Sequence, residues 1–413
     1  MDAWEPVEVP VLPSADGVRV RLHNPLTGEA VPVGPTSGEA RLYACGITPY
    51  DAAHLGHAFT YVAIDLLVRA WTDAGLSVRY AQNVTDVDDP LLERATATGQ
   101  DWAALAQDQI AQYRSDMRAL RVLPPVQLTG VVESLDLVTE AIGRLKEHQV
   151  VYQVPDPQFP DWYFSVTSSS NLLADSPVSM VEAETLFAER GGDPDRDGKR
   201  HRLDPLVWRQ ERPGEPAWES WLGRGRPGWH IECTAIALDA LGAAFDVQAG
   251  GSDLAFPHHS MSAAEGRVLT GETFAKASLH TGMVGYAGTK MSKSLGNLVF
   301  VSGLLADGAD PMAIRLLLLD HHYRSDWEYL PGLLDVATER LTRWREAVAA
   351  PSGPDATGVL AGVRASLHND LDAPAGLAVI DAWVETCLAE GGADSTAPAL
   401  VRDLADALLG LAL

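Results

Sequence analysis

Cys45-Gly46-Ile47-Thr48-Pro49-Tyr50-Asp51-Ala52-Ala53-His54-Leu55-Gly56-His57 decides how this 413-residue chain is read. Arg41 to Ala44, just ahead of it, reads as a short strand. A turn follows, and a helical spacing of apolar residues runs from Leu55 to Asp73. Ser77 to Val84 reads as the next strand. That order predicts a parallel-sheet α/β unit. The start of the helix offers free N–H groups and the positive end of the helix dipole, a natural seat for phosphate. His54 and His57 add two imidazoles there, and Gly56 removes a side chain where a flat base could lie against the backbone. Alone, the stretch serves equally well as a capped helix with two surface histidines.

Far downstream stands Lys290-Met291-Ser292-Lys293-Ser294, preceded by Gly285 and Gly288. Two of the chain's five lysines fall in it. A glycine-flanked loop with two ammonium groups suits a transient pyrophosphate leaving group. Alone, it is equally a solvated basic loop. His-Leu-Gly-His followed by Lys-Met-Ser-Lys-Ser, with a strand–turn–helix at the first, resembles the paired signature of class I aminoacyl-tRNA synthetases. The resemblance implies that His54 and His57 hold the phosphates of magnesium-bound ATP. It implies that Lys290 and Lys293 stabilise the transition state at the α-phosphate.

Two cysteines and a histidine lie near these signatures. They are Cys45, Cys233 in Pro227-Gly228-Trp229-His230-Ile231-Glu232-Cys233, and His258 in Phe256-Pro257-His258-His259. Two thiolates and an imidazole would hold zinc with one position open. A substrate thiol fills that position better than a hydroxyl, because zinc favours sulfur and lowers the thiol pKa. The separations are not those of a zinc finger, and spacing leaves two buried cysteines and a core histidine equally open. The same elements resemble those of cysteinyl-tRNA synthetases over most of residues 41–330. That likeness implies one zinc on Cys45, Cys233 and His258. It implies that Thr48 and Trp229 line a cysteine pocket beside Cys45, Gly46 and Ile47. Thr60, Asn83, Val84, Thr85, Gly251, Ser252 and Asp253 would contact the cysteinyl-adenylate, and Val284 the adenine. Where the synthetases carry a glutamate after the histidine, this chain has Ser262, which favours a position left to substrate. Asp86, Asp88 and Asp89 read as a turn or helix cap.

The chain is strongly acidic, with a formal net charge of -25. Residues 331–413 hold five arginines, no lysine and twelve acidic residues, a poor surface for gripping tRNA. Paralogues of the synthetases, the mycothiol cysteine ligases, join cysteine to the amine of glucosaminyl-inositol. This chain resembles them in length and in Glu189-Arg190-Gly191-Gly192-Asp193-Pro194, Glu211-Arg212-Pro213-Gly214-Glu215-Pro216 and Gly223 to Trp229. It departs from them at Ser260, where an acidic residue is usual. By itself the Glu189–Pro194 element reads as a helix end and turn.

The expected fold is a class I synthetase Rossmann-like α/β domain with a parallel sheet, a helical insertion and a C-terminal helical bundle. The expected divisions are a first catalytic half over 1–118, an insertion over 119–205, a second half over 206–295, a junction over 296–330 and an acidic bundle over 331–413. The resemblance implies a ligase that uses L-cysteine, ATP and glucosaminyl-inositol, with release of AMP and pyrophosphate. A monomer that binds neither nucleic acid nor membrane is expected. The N-terminus lacks a secretory pattern, so the expected compartment is the cytoplasm. Two rivals remain: a compact cysteinyl-tRNA synthetase and a catalytically silent zinc-binding paralogue.

Overall fold

The structure of the protein, a computed structural model, describes residues 1–13, 15, 18–168, 172, 178–286, 288–291 and 296–413. Of Lys290 it describes the backbone and not the side chain. The first elements are a short antiparallel hairpin, β1 (Arg21–His23) and β2 (Ala30–Pro32), around Asn24-Pro25. Its three-residue strands are too short to carry an alternating pattern in the sequence.

The sheet begins with β3 (Glu39–Ala44), α1 (Leu55–Asp73), β4 (Ser77–Val84), α2 (Asp89–Thr98), α3 (Trp102–Ala119) and β5 (Gln127–Gly130). Helix α1 is apolar nearly all round and is buried along most of its length, as a helix inside the core must be. Asp88 caps α2, its side chain accepting from the Asp89 amide, as expected.

The chain then leaves the sheet through α4 (Leu135–Glu147), β6 (Val151–Gln153), β7 (Trp162–Phe164), α5 (Met180–Glu189), β8 (Leu206–Gln210), β9 (Gly225–Pro227) and α6 (Trp229–Leu241). Strands β6 to β9 pair in sequence as an antiparallel sheet. The insertion is therefore mixed, where its polar, broken pattern suggested helices. Two of its strands are three residues long and bring together residues far apart in sequence.

The sheet resumes with β10 (Phe245–Gly251), α7 (Ser260–Thr270) and β11 (Ala275–Thr281). Its order is β11-β10-β3-β4-β5, and every neighbouring pair is parallel. The order reverses between β3 and β10. In doubly wound sheets the crevice beyond the strand ends at such a switch point is where ligands bind.

A small sheet follows, of β12 (Val284–Tyr286), β13 (Thr289–Lys290) and, after α8 (Val301–Ala306) and α9 (Pro311–Leu319), β14 (Trp327–Tyr329). Helices α10 (Pro331–Val348), α11 (Thr357–His368), α12 (Ala373–Glu390) and α13 (Ala397–Leu409) complete the chain. One apolar core runs unbroken from β3 and α1 through α9 into these helices. Buried charge fastens the same junction. Arg69 and Arg315 both pair with Asp65 of α1, and all three side chains are fully buried. The guanidiniums also donate to the carbonyls that end α13, Arg69 to Asp406 and Ala407, Arg315 to Leu409. Burial alone would raise the Asp65 pKa, but the two cations hold it below its ordinary value. Among the described residues, no helix is long and apolar enough to cross a membrane.

Candidate active site and metal centre

The ends of β3 and β10 open into a cavity of about 390 Å³ at the switch point. The Cys45 amide donates to the Ala249 carbonyl (3.0 Å), joining the two strands at its floor. Gly46 lies against β4, its N–H donating to Asn83 Oδ1 (2.8 Å). A Cβ at residue 46 would sit 1.6 Å from the Asn83 carbonyl oxygen, so glycine is required there by contact. Cys45, Gly46, Ile47, Thr48, His54, His57, Thr60, Trp229, Gly251, Asp253 and Val284 all reach the cavity wall.

At one end of the cavity, His54 caps α1, its Nδ1 accepting from the Gly56 amide (3.0 Å). Its proton is therefore on Nε2. His57 stacks on it with ring centroids 3.9 Å apart. Burial pushes the His57 pKa down to about 4, and its buried Nδ1 has no partner among the described residues. His57 is therefore a neutral imidazole near neutral pH. A Cβ at Gly56 would come within 2.8 Å of the His54 ring. That glycine makes room for the capping histidine, a different reason from the approach of a base.

The second signature meets the same cavity. Met291 lies in its wall, the Met291 amide donates to the Val284 carbonyl (3.2 Å), and the Lys290 backbone pairs with Gly285. Phe300 bridges to His54, and the Leu55 amide donates to Val299 (2.9 Å). The backbone after the signature is therefore tied to the start of α1. Lys293 lies outside the described residues, as does the side chain of Lys290.

Cys45, Cys233 and His258 come together, their ligand atoms all within 4.8 Å of one another and all three residues buried. His258 Nδ1 is engaged with His230 Nδ1 (2.9 Å), while His258 Nε2 is buried with no partner among the described residues. Burial, then the nearby His230, holds His258 neutral, the form that binds a metal. Burial, then Cys45, pushes the Cys233 thiol well up, so that thiol resists ionisation without a cation beside it. An orphaned imidazole nitrogen in one cluster with two thiols fits a metal ion, and a buried Cys–Cys–His group could bind one. Ser262 does not complete the set: its hydroxyl is turned to the His230 carbonyl (3.3 Å). Ser260 likewise bonds to the Ala255 carbonyl (3.1 Å).

Not every residue singled out from the sequence lines the cavity. Asn83, buried, ties β3 to β4 through Gly46 and Tyr43 and donates to Thr85 Oγ1 (3.1 Å). Val84 and Thr85 are buried beside it, and Ser252 opens a short turn outside the wall. Other residues had no signal of their own. His230 orients His258, and Trp229 stacks on His258 with centroids 4.3 Å apart. His259 Nε2 lies 3.2 Å from Cys45 Sγ and its Nδ1 2.8 Å from His280. The adjacency of His230 and His259 to the two motifs was the one available clue.

A switch-point cavity with a histidine-capped helix at one end and a thiol–imidazole cluster at the other is the site of a class I synthetase-type catalytic domain. The chain belongs to that family, matching the tRNA synthetases class I (C) catalytic domain over residues 33–339. Its full-length relatives narrow the group. It is 58% identical over 414 residues to the L-cysteine:1D-myo-inositol 2-amino-2-deoxy-alpha-D-glucopyranoside ligase of Thermobispora bispora, with 100% of each chain covered. It is 55% identical to the protein of that name from Nocardiopsis dassonvillei and 56% to that of Kineococcus radiotolerans, again with 100% of each chain covered. At such identity the chain belongs to the same family as these ligases. Solved structures carry the fold alone. Mycobacterium tuberculosis methionyl-tRNA synthetase with methionyl-adenylate superposes with a TM-score of 0.64 at 16% identity, covering 91% of this chain and 92% of that one. The leucyl enzyme of Agrobacterium radiobacter K84, in a ternary complex with tRNA, gives 0.67 at 13%, covering 91% and 84%.

Proposed function

We propose that the chain activates L-cysteine with magnesium-bound ATP as cysteinyl-adenylate and transfers it to the amine of glucosaminyl-inositol, the cysteine-ligation step of mycothiol biosynthesis. The observation that carries this reading is the single cavity joining His54 and His57 at one end to Cys45 of the buried Cys–Cys–His cluster at the other. Zinc on Cys45, Cys233 and His258 would take the substrate thiol as its fourth ligand and so select cysteine over serine. Thr48 and Trp229 enclose that cysteine. The His54 and His57 N–H groups, with Lys290 and Lys293, stabilise charge as the cysteine carboxylate attacks the α-phosphate and pyrophosphate leaves. Gly251 and Asp253 hold the adenylate, and Val284 faces the adenine. Thr60, whose hydroxyl meets Thr281 at 2.7 Å, fixes the helix-side wall. The catalytic halves are assigned to 1–118 and 206–295, with 119–205 inserted, 296–330 as junction and 331–413 as the bundle.

Against tRNA as acceptor stands the state of the tail arginines. Arg340, Arg345, Arg364 and Arg402 are each in an ion pair with an aspartate. They offer little free charge to a polyanion. Product mass analysis with cysteine, ATP and either glucosaminyl-inositol or tRNA tests the reading. The expected result is a cysteinyl amide of the sugar with AMP. Charged tRNA without sugar product would overturn the acceptor, and absence of cysteine-dependent pyrophosphate exchange would overturn the activation step.

A further inference from the structure

Beside the switch-point cavity lies a larger one, of about 700 Å³, walled by the insertion and α2. Thr48 and Trp229 border both cavities. A molecule in the larger space would therefore meet a cysteinyl group held in the smaller. The wall carries five guanidiniums and five carboxylates, and the charge is almost all internally matched. Arg209 and Arg226 share Asp89 and Glu215, while Arg196 and Arg212 share Asp161. Asp193 holds Lys199, and Arg190 donates to the Asp253 and Phe256 carbonyls. Cations so committed make a poor polyphosphate site. Paired donors and acceptors, beside the rings of Tyr163, Phe187 and Trp229, suit a molecule rich in hydroxyl groups. One donor has no partner among the described residues, the buried Arg209 Nε.

Two wall carboxylates have no ion pair among the described residues, Glu93 and Asp88. Glu93 is exposed, whereas Asp88 is half-buried. Its one hydrogen bond there is the capping bond from the Asp89 amide to Oδ1 (2.8 Å), which leaves Oδ2 unengaged. A free carboxylate in a charge-matched pocket calls for a single cationic group, and an amine is one.

Resting on the ligase reading above, we propose that this cavity is the acceptor site, that Arg209 and its paired carboxylates hold the sugar and inositol hydroxyls, and that Asp88 receives the acceptor amine and takes its proton. The amine nitrogen forms a bond to the cysteinyl carbonyl carbon. The bond from that carbon to the phosphate oxygen breaks, and AMP leaves with the electron pair. The ammonium gives one proton to the Asp88 carboxylate before the attack, which frees the nitrogen lone pair, and the second proton, lost as the amide forms, follows the same carboxylate to solvent. The Glu189–Pro194 element gains a role in this arrangement: Arg190, Gly191, Gly192 and Asp193 form part of the wall.

The test uses the full chain with zinc, magnesium, ATP, cysteine and glucosaminyl-inositol. Asp88→Asn keeps a capping oxygen and so preserves the start of α2. It is expected to lower amide formation about 100-fold, the scale for loss of a positioned proton acceptor. Arg209→Met is expected to raise the acceptor KM about tenfold, with kcat little changed. Cysteine-dependent pyrophosphate exchange needs no acceptor and should continue in both variants, reporting that each folds and forms adenylate. Acceptor KM and kcat within about twofold of the parent in both variants would overturn the assignment. So would equal losses in exchange and amide formation, which would place both residues in the first step or in folding. A parent enzyme that exchanges pyrophosphate yet makes no amide overturns the acceptor reading itself, a result distinct from either.

Discussion

Two buried polar clusters in this chain are built on opposite terms. Around Asp65, Arg69 and Arg315, opposite charges meet and the guanidiniums reach the carbonyls that end α13. Around Cys45, Cys233 and His258, the Cys233 thiol resists ionisation and an imidazole nitrogen has no hydrogen-bond partner among the described residues. Burial costs polar groups their hydration in both places. The first cluster recovers that cost from the protein itself, whereas the second could recover it from a metal ion. The completed cluster is architecture, and the incomplete one could bind a metal.

Substitutions can separate the two. Cys233→Ala is expected to take bound zinc from about one per chain to none, and with it cysteine activation, while circular dichroism still reports a folded chain. Metal analysis alongside pyrophosphate exchange checks this. Arg315→Met should do the reverse. It leaves Asp65 and Arg69 imperfectly matched in the core and should cost about 3–5 kcal/mol by urea denaturation. The molecules that remain folded should still bind zinc. Loss of metal in Arg315→Met, or unfolding in Cys233→Ala, would break the distinction.

Smaller effects sharpen it. His57→Ala should slow adenylation about 100-fold, the usual loss for one preorganised donor, without releasing zinc. Because the His57 pKa lies near 4, the imidazole is neutral above that value and charged below it. His57 should therefore impose no fall in exchange rate between about pH 6 and 8. A limb there that disappears in the alanine variant would refute the neutral-donor role. His230→Gln removes the group that orients His258 and should weaken zinc about 10- to 100-fold in a chelator competition. Cys387→Ala, in the bundle, should leave activity at the parent level and cost about 1 kcal/mol of stability.

What was legible in the sequence follows the range of the signal. Leu55–Asp73 and Ser77–Val84 are long enough to display their periods, and the structure has both with those bounds. The three-residue strands at 151–153 and 162–164 are too short to display one. Cys45 and Cys233 stood out beside recognisable motifs. The larger cavity did not, because its wall draws on residues from Thr48 to His230, each ordinary where it stands. Asp65 and Arg69 are visible as a helical pair four residues apart. Only the fold shows that Arg315, 250 residues from Asp65, joins them in the core.

The caps that Arg69 and Arg315 provide for α13 also set an order in time. During synthesis the β3–α1–β4 unit leaves the ribosome long before residues 406–409, whose carbonyls those two guanidiniums need. Leu404, Leu408 and Leu411, buried in the same core, arrive equally late. A nascent chain that has made its whole nucleotide-binding half still holds unsettled cations beside an open apolar groove. The junction closes only once residues 406–409 have been made, so the first half of the sheet and the C-terminal helices finish folding together rather than domain by domain.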